Sequence, residues 1–249
     1  MFDNLKILYH QGKQFIPDVT TVNVPGIFRG RPVISSEKAD EKFLQELCPT
    51  AAISVDPMSI DLGKCTFCGE CAKAFPGKIQ FTKDYKIATN RRERLIVREG
   101  VKSPIELDPE KVRREIKSFF SGSLKLREVS AGGDNSCELE LGACSNVNFD
   151  MGRFGIDFVA SPRHADGLVI TGPITVNMAE ALQISYDAIP NPKIIILAGT
   201  DAISGGIFAD SPAIDRSFLN RYTPDLYVPG NPMHPLTFIN GVLSLIRKK

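Results

Sequence analysis

Residues 167–198 read GLVITGPITVNMAEALQISYDAIPNPKIIILA, and the fold of the C-terminal half turns on them. Two apolar β runs, Gly167 to Thr171 and Lys193 to Ala198, bracket a helical period from Thr175 to Ala188. Strand, helix and strand in that order are the signature of a βα unit and so of a parallel sheet. The alternation continues on both sides. Leu124 to Val129 and Asp225 to Val228 are further candidate strands, and Pro235 to Arg247 and Cys137 to Asn146 are candidate helices. No internal repeat or low-complexity tract is present.

Upstream the texture differs. Phe15 to Ser36 is rich in Pro, Gly, Val and Thr without a helical period, which predicts an extended lead-in. Residues 40–47 predict one short helix. Ile53 and Val55 stand before a turn at Asp56-Pro57, and Ile79 and Phe81 follow Gly77, the pattern of short strands around a cysteine-rich loop. Asp108-Pro109 is a helix start, and Val112, Ile116 and Phe119 or Phe120 form an apolar stripe, so residues 109–120 predict an amphipathic connecting helix. Ser121-Gly122-Ser123 then predicts a linker. Three parts result: 1–100, 101–123 and 124–249.

With 249 residues, 43% hydrophobic, 24% charged and a formal net charge of +1, the composition is that of an ordinary soluble globular protein with no nucleic-acid footprint. Met1 to Lys13 lacks the unbroken apolar core of a secretory signal. No apolar run reaches spanning length, so work at a membrane would require a partner to hold the chain there. Four of the six cysteines fall between Cys48 and Cys71, a ligand spacing that points to a reducing compartment. Cys137 and Cys144 are seven apart, about 10.5 Å along a helix, too far for a disulfide.

Cys65-Thr-Phe-Cys68-Gly-Glu-Cys71 lets a tight loop wrap one face of an iron-sulfur cube, whose iron favours soft thiolates. Cys48-Pro49 supplies the fourth thiol, as a Cys-Pro pair does in bacterial ferredoxins. A two-cluster ferredoxin would carry a companion cluster with thiols where this chain has Lys38, Glu41, Leu44 and Phe75. All four are missing together, as shared-ligand pairing predicts. The expectation is one 4Fe-4S cluster on Cys48, Cys65, Cys68 and Cys71 in an α+β ferredoxin-like part. The competing reading is a structural zinc site, which favours separated Cys pairs.

The C-terminal part resembles the small, electron-transferring subunit of energy-converting nickel-iron hydrogenases and formate hydrogenlyase, and the homologous subunit of respiratory complex I. The resemblance rests on Asp134-Asn-Ser-Cys137-Glu138, Arg153-Phe154-Gly155, Ser161-Pro-Arg-His164-Ala-Asp166, Thr171-Gly172-Pro173, Ser204-Gly205-Gly206-Ile207-Phe208 and Tyr227-Val228-Pro229-Gly230. The N-terminal part looks like the ferredoxin-type subunit of the same complexes, through Phe28-Arg29-Gly30-Arg31-Pro32 and Leu62-Gly63-Lys64-Cys65. The chain thus resembles a fusion of two neighbouring subunits. The resemblance implies a flavodoxin-like, mainly parallel α/β domain over 124–249, with ligands in loops at the carboxyl ends of strands.

The family pattern would put cysteines at 134, 137, 201 and 231. This chain has Asp134, Cys137, Asp201 and Asn231. Carboxylate and amide oxygens replace thiolates poorly on an iron-sulfur cube, so no second cluster is expected, even with Cys144 recruited. Asp134, Asp201, Asn231 and Glu138 form either an oxygen pocket for a hard cation or a hydrogen-bonded, hydrated relic, and the relic is the favoured reading. In related small subunits a glutamate at the place of Glu138 is associated with proton movement; alternatively, an acid early in a helix favours the positive end of the dipole. By resemblance Arg153, Arg163 and His164 face the large partner subunit; each can instead be a solvated or capping residue, with the interface favoured for Arg153 and the solvated or capping reading for His164. Ser204-Gly205-Gly206 lacks the spacing of a phosphate-binding loop, and no nucleotide is expected.

Two functions follow, the first as the broader description and the second as its alternative. One is an iron-sulfur electron-transfer subunit of a membrane-associated hydrogenase-like or complex-I-like complex, cytoplasmic, held at the inner face of the membrane by a large subunit and membrane subunits, without direct insertion. The other is a non-conducting assembly, redox-sensing or regulatory subunit, because loss of the second cluster interrupts the route to a partner's active site.

Overall fold

The computed structural model describes residues 2–12 and 14–246. The chain starts with α1 (Phe2–Gln11), which buries none of its residues. The lead-in over 14–31 has no regular structure, as its composition predicts. It lies against the C-terminal half: Ile16 N–H donates to the Asn148 carbonyl at 2.8 Å, and the Val19 carbonyl accepts from Tyr85 Oη and Asn240 Nδ2 at 3.0 and 2.8 Å.

The elements that follow are β1 (Pro32–Ile34), α2 (Glu41–Leu47), β2 (Ile53–Ser54), β3 (Ser59–Asp61), α3 (Glu70–Ala74), β4 (Ile79–Phe81) and β5 (Ile96–Arg98). Strands β1 and β4 pair antiparallel, and β2, β3 and β5 form a second antiparallel sheet with β3 central. The predicted helix at 40–47 is α2, whose first turn is capped by Asp40 accepting from Phe43 N–H at 3.0 Å.

The connecting segment departs from prediction. Instead of a helix over 109–120, only α4 (Arg114–Phe119) forms. Asp108 closes a turn rather than a helix: its carboxylate accepts Glu110 N–H at 3.1 Å and is ion-paired to Arg91 at 2.6 Å. Val112, Ile116 and Phe120 still carry the buried stripe, whereas Phe119 is 66% exposed.

The C-terminal half contains β6 (Leu124–Ser130), α5 (Ser136–Ala143), β7 (Ile156–Phe158), β8 (Gly167–Thr171), α6 (Val176–Ala188), β9 (Ile194–Ala198), α7 (Thr200–Ser204), α8 (Ser217–Arg221), β10 (Leu226–Val228) and α9 (Pro235–Ile246). Every pairing in its sheet is parallel, in the order β10-β9-β8-β6-β7. This is the flavodoxin-like order, with its topological switch point between β6 and β8. The predicted strands and helices fall within one or two residues, except that α5 stops at Ala143 rather than Asn146. Arg247, the predicted end of the last helix, lies outside the described residues. Strand β7 and the short helices α7 and α8 were not legible, being too short to show a period.

Both sheet faces are buried. Leu124, Leu126, Val169, Ile194 and Ile196 enter one core with α9 and the lead-in residues Val19 and Val24. Leu168, Ile170, Ile195 and Leu197 enter the other with Leu182, Phe218 and the N-terminal Ile60, Leu62 and Ile79. The edge strand β10 is joined to the N-terminal half by a two-way bridge between Thr89 and Tyr227, at 3.0 and 2.8 Å. Among the described residues no helix is long and apolar enough to cross a membrane.

Strand spacing here depends on a bare glycine. A Cβ at Gly167 would stand 2.3 Å from Ile194 Cγ1 and 2.8 Å from its carbonyl oxygen, so Gly167→Ala is expected to lose about 1–3 kcal/mol in urea unfolding. Gly142, on the open face of α5 with nothing within 4 Å of its Cβ position, is expected to gain about 0.5–1 kcal/mol as Ala.

Candidate functional site

Two segments bring the four N-terminal cysteines together. Cys48 caps the C-terminus of α2, its N–H donating to the Gln45 carbonyl at 3.3 Å. Cys65 and Cys68 lie on the turn from β3 into α3, and Cys71 lies in the first turn of α3. Asp61 sets that turn: its carbonyl accepts from Lys64 and Cys65 N–H, its carboxylate accepts Gly63 N–H at 2.9 Å, and Arg92 forks onto it at 2.7 and 2.6 Å. Phe67 and Gly69 take left-handed backbone angles, φ +54° and +82°, and a Cβ at residue 69 would come within 3.1 Å of Arg29 Cδ.

All four thiols line one cavity walled by Leu47, Ile53, Ile60 and Phe81, and all are free. Cys65 is buried, Cys48 and Cys71 are half-buried, and Cys68 is exposed. Ala52 N–H donates to Cys48 Sγ at 3.2 Å and Phe67 N–H to Cys65 Sγ at 3.3 Å. Burial, reinforced by the neighbouring thiols, pushes Cys65 up to about 12 and Cys71 up to about 11. The cavity therefore resists thiolate charge unless a cationic centre compensates it.

Of the companion-cluster positions 38, 41, 44 and 75, three carry packing or ion-pair contacts. Leu44 is fully buried, and the Phe75 ring meets Phe43 with centroids 6.3 Å apart. Lys78, 3% exposed, lies between Glu41 and Glu99 at 3.0 Å from each. Burial works against its charge, and the two carboxylates outweigh that and raise its pKa. Lys38 is on the surface.

At the carboxyl end of the parallel sheet the four family positions take separate roles. Asp134 Oδ1 accepts from Ser136 N–H and Oγ at 2.9 and 2.6 Å, and these bonds lower its pKa. Cys137 is buried, with Sγ only 2.4 Å from where a Cβ on Gly199 would stand. Asp201 opens α7 and is 6% exposed; its Oδ1 is buried without a hydrogen-bond partner among the described residues. Burial, then the charges of Asp134 and Glu138, push its pKa from an ordinary 3.8 up to about 6. Asn231 lies apart, on an open groove shared with Phe67, Cys68, Met233 and His234. Glu138 Oε1 accepts from Ser130 and Thr171 hydroxyls, both at 2.6 Å. Among the described residues no three His, Cys, Asp or Glu side chains are grouped to hold a metal ion.

The two sites touch, which the sequence did not disclose. Thr200, fully buried beside Asp201, donates its hydroxyl to the Cys65 carbonyl at 2.8 Å. Arg153 is occupied within the chain, donating to the Ile16 carbonyl at 2.5 Å and packing over Phe15 and Phe154. Arg163 and His164 are exposed. Cys144 is buried, its thiol donating to the Glu140 carbonyl at 3.3 Å. Gly205 and Gly206 close α7 with left-handed φ angles, and Gly206 packs against the Asp201 carboxylate.

Thr200→Val leaves the Cys65 carbonyl without this donor, and chemical unfolding should show a loss of about 1–3 kcal/mol. For Asp201 the sign is the reverse. The folded state binds more protons between 3.8 and about 6, so stability falls as pH rises through that window. Asp201→Asn should be more stable than the unaltered chain at neutral pH by on the order of 2 kcal/mol, an advantage that shrinks as pH is lowered to about 4. Urea melts across pH measure it.

Comparison with known proteins agrees with this architecture. The family described as NADH ubiquinone oxidoreductase, 20 Kd subunit, matches residues 135–245. A probable membrane-bound hydrogenase subunit of Pyrococcus furiosus is 36% identical over 140 residues, covering 56% of this chain and 83% of that protein. Formate hydrogenlyase subunit 7 of Escherichia coli is 34% identical, covering 60% of this chain and 61% of its own. An NADH-quinone oxidoreductase subunit of Heliobacterium modesticaldum is 42% identical, covering 45% and 65%. With five parallel strands in flavodoxin-like order and relatives this similar over most of their length, the chain belongs to the family of complex I 20 Kd subunits and their hydrogenase counterparts.

Proposed function

We propose that this chain is the iron-sulfur electron-transfer subunit of a membrane-associated, hydrogenase-like or complex-I-like oxidoreductase. One 4Fe-4S cluster is held by Cys48, Cys65, Cys68 and Cys71 in a ferredoxin-like part over 1–100, joined through 101–123 to a small-subunit-like part over 124–249. The observation that carries this reading is the convergence of four free thiols on one apolar cavity, two of them already accepting backbone N–H bonds. Four soft donors lining one cavity, three of them on a single loop, suit a cube better than zinc, which favours separated Cys pairs.

Such a cluster supplies one-electron transfer. The protein's share is physical. Leu47, Ile53, Ile60 and Phe81 exclude water, the Ala52 and Phe67 amides stabilise thiolate charge, and the Asp61–Arg92 fork holds the loop. Exposed Cys68 leaves one side open for exchange with another carrier.

The names of the relatives, a membrane-bound hydrogenase subunit and a formate hydrogenlyase subunit, support placement as one subunit of a membrane-associated complex; the proposed partners are a large subunit and membrane subunits, with this chain peripheral to the cytoplasmic face. Nickel or quinone chemistry then belongs to the partners. At the sheet end, oxygens at Asp134, Asp201 and Asn231 leave no thiolate cage for a second cluster. The contact between Thr200 and Cys65 sets the N-terminal site directly beside this position.

Anaerobically prepared chain is expected to carry about four irons and to give one cubane EPR signal on reduction. Cys68→Ala should lose most of the iron. An iron-free preparation would refute the assignment, and about eight irons per chain would restore a second cluster to the C-terminal half.

A further inference from the structure

The stretch Phe28-Arg29-Gly30-Arg31-Pro32 carries two arginines with separate tasks. Arg31 is committed to the N-terminal half, ion-paired to Asp84 at 3.3 Å and donating to the Lys102 carbonyl at 3.2 Å. Gly30 is pressed against the same neighbour: its N–H donates to the Thr82 carbonyl at 2.8 Å, and a Cβ on it would stand 2.1 Å from the Asp84 carbonyl oxygen. From that fixed backbone Arg29 reaches the cysteine loop. Its Nε donates to the Phe67 carbonyl at 2.5 Å, and its Cδ and Cζ lie 3.1 and 3.6 Å from where a Cβ on Gly69 would stand.

One side chain therefore touches the residue before Cys68 and the residue after it. The loop between these contacts is held in a costly form. Phe67 takes φ +54°, a left-handed angle that side chains rarely adopt, and Gly69 follows at +82°. Cys68 is the exposed thiol of the four. Cys65 is buried, Cys48 and Cys71 are half-buried, and Cys48 and Cys65 each accept a backbone N–H on sulfur. Arg29 is itself exposed and forms no ion pair among the described residues, so the loop is its polar partner within the chain.

We propose that Arg29 is a positioning residue for the Cys48, Cys65, Cys68 and Cys71 centre: it clamps the loop across Cys68 and keeps that thiolate, the exposed corner of the cage, from leaving its iron. The proposal rests on the cluster reading above. Without the clamp Phe67 is free to relax toward an ordinary backbone angle and carry Cys68 with it, whereas the other three thiols keep their own burial. Arg29 thus acts through the loop and touches no reacting atom.

The test is anaerobic alkylation of the full iron-loaded chain with iodoacetamide, the initial rate at each cysteine being followed by peptide mass mapping. A thiolate bound to iron must leave it before reacting, so each rate reports how firmly that corner is held. In Arg29→Ala, Cys68 is expected to react about tenfold faster than in the unaltered chain, the share of one charge-assisted hydrogen bond, with Cys48, Cys65 and Cys71 protected as before. Arg29→Lys, which keeps the charge without the planar fork, should fall between the two. A role in general stability would release all four thiols together, and that outcome overturns the proposal, as does a Cys68 rate that ignores the loss of Arg29. If Arg29→Ala takes up no iron, Arg29→Lys decides: faster reaction at Cys68 alone supports the clamp, and a rate equal to that of the unaltered chain overturns it. An unaltered chain that holds no iron defeats the cluster reading, and the clamp with it.

Discussion

A parallel β-sheet has to bury both of its faces, because its crossovers and near-continuously apolar strands leave no side fit for water. In this chain helices alone do not cover them. One face is sealed by α9 and the lead-in, and the other by α6 and α8 together with the core of the N-terminal half. Each hydrophobic core therefore contains residues from both ends of the sequence. The placement of the cysteine loop follows, since Leu62 and Cys65 belong to the same core as Leu168, Ile170 and Leu197.

This packing brings two ligand positions with different fates into contact. In the N-terminal half, soft sulfur donors line one cavity, and Leu44, Phe75 and Glu41, the last ion-paired to Lys78, stand at the positions a two-cluster ferredoxin would give to further thiols. At the carboxyl end of the sheet the family's loop frames persist. Asp134 serves a turn and Glu138 accepts two hydroxyls, while Asp201 keeps a buried oxygen that meets no donor among the described residues. The first position is packed closed around Leu44, and the second keeps one buried oxygen without a partner among the described residues. Softness of the donor favours the first position for iron over the second, and burial with two acidic neighbours raises the pKa of Asp201 at the second.

Much of the site was legible because its signals are local. The spacing of Cys65, Cys68 and Cys71, with Pro after Cys48, names a donor set without reference to the fold. The mismatch at 134, 201 and 231 could be read against surviving frames such as Gly199-Thr-Asp201 and Pro229-Gly-Asn231. Less legible were features whose partners are far away in sequence. Arg153 reads as an interface residue until Ile16 and Phe15 are found against it. Asp108-Pro109 reads as a helix start, but Arg91 and the turn at Glu110 claim the carboxylate.

The sequence by itself determined the parallel α/β half, through apolar runs alternating with helical periods, and the four-thiol donor set, through spacing along the chain. Both are properties of residues near one another in sequence. Only the tertiary structure decided that Thr200 bonds the Cys65 carbonyl across 135 residues, that Thr89 joins the edge strand at Tyr227, and that one oxygen of the Asp201 carboxylate is buried without a partner among the described residues. Those outcomes depend on which surfaces the two halves bury against each other, and burial between distant segments leaves no periodicity or spacing to read.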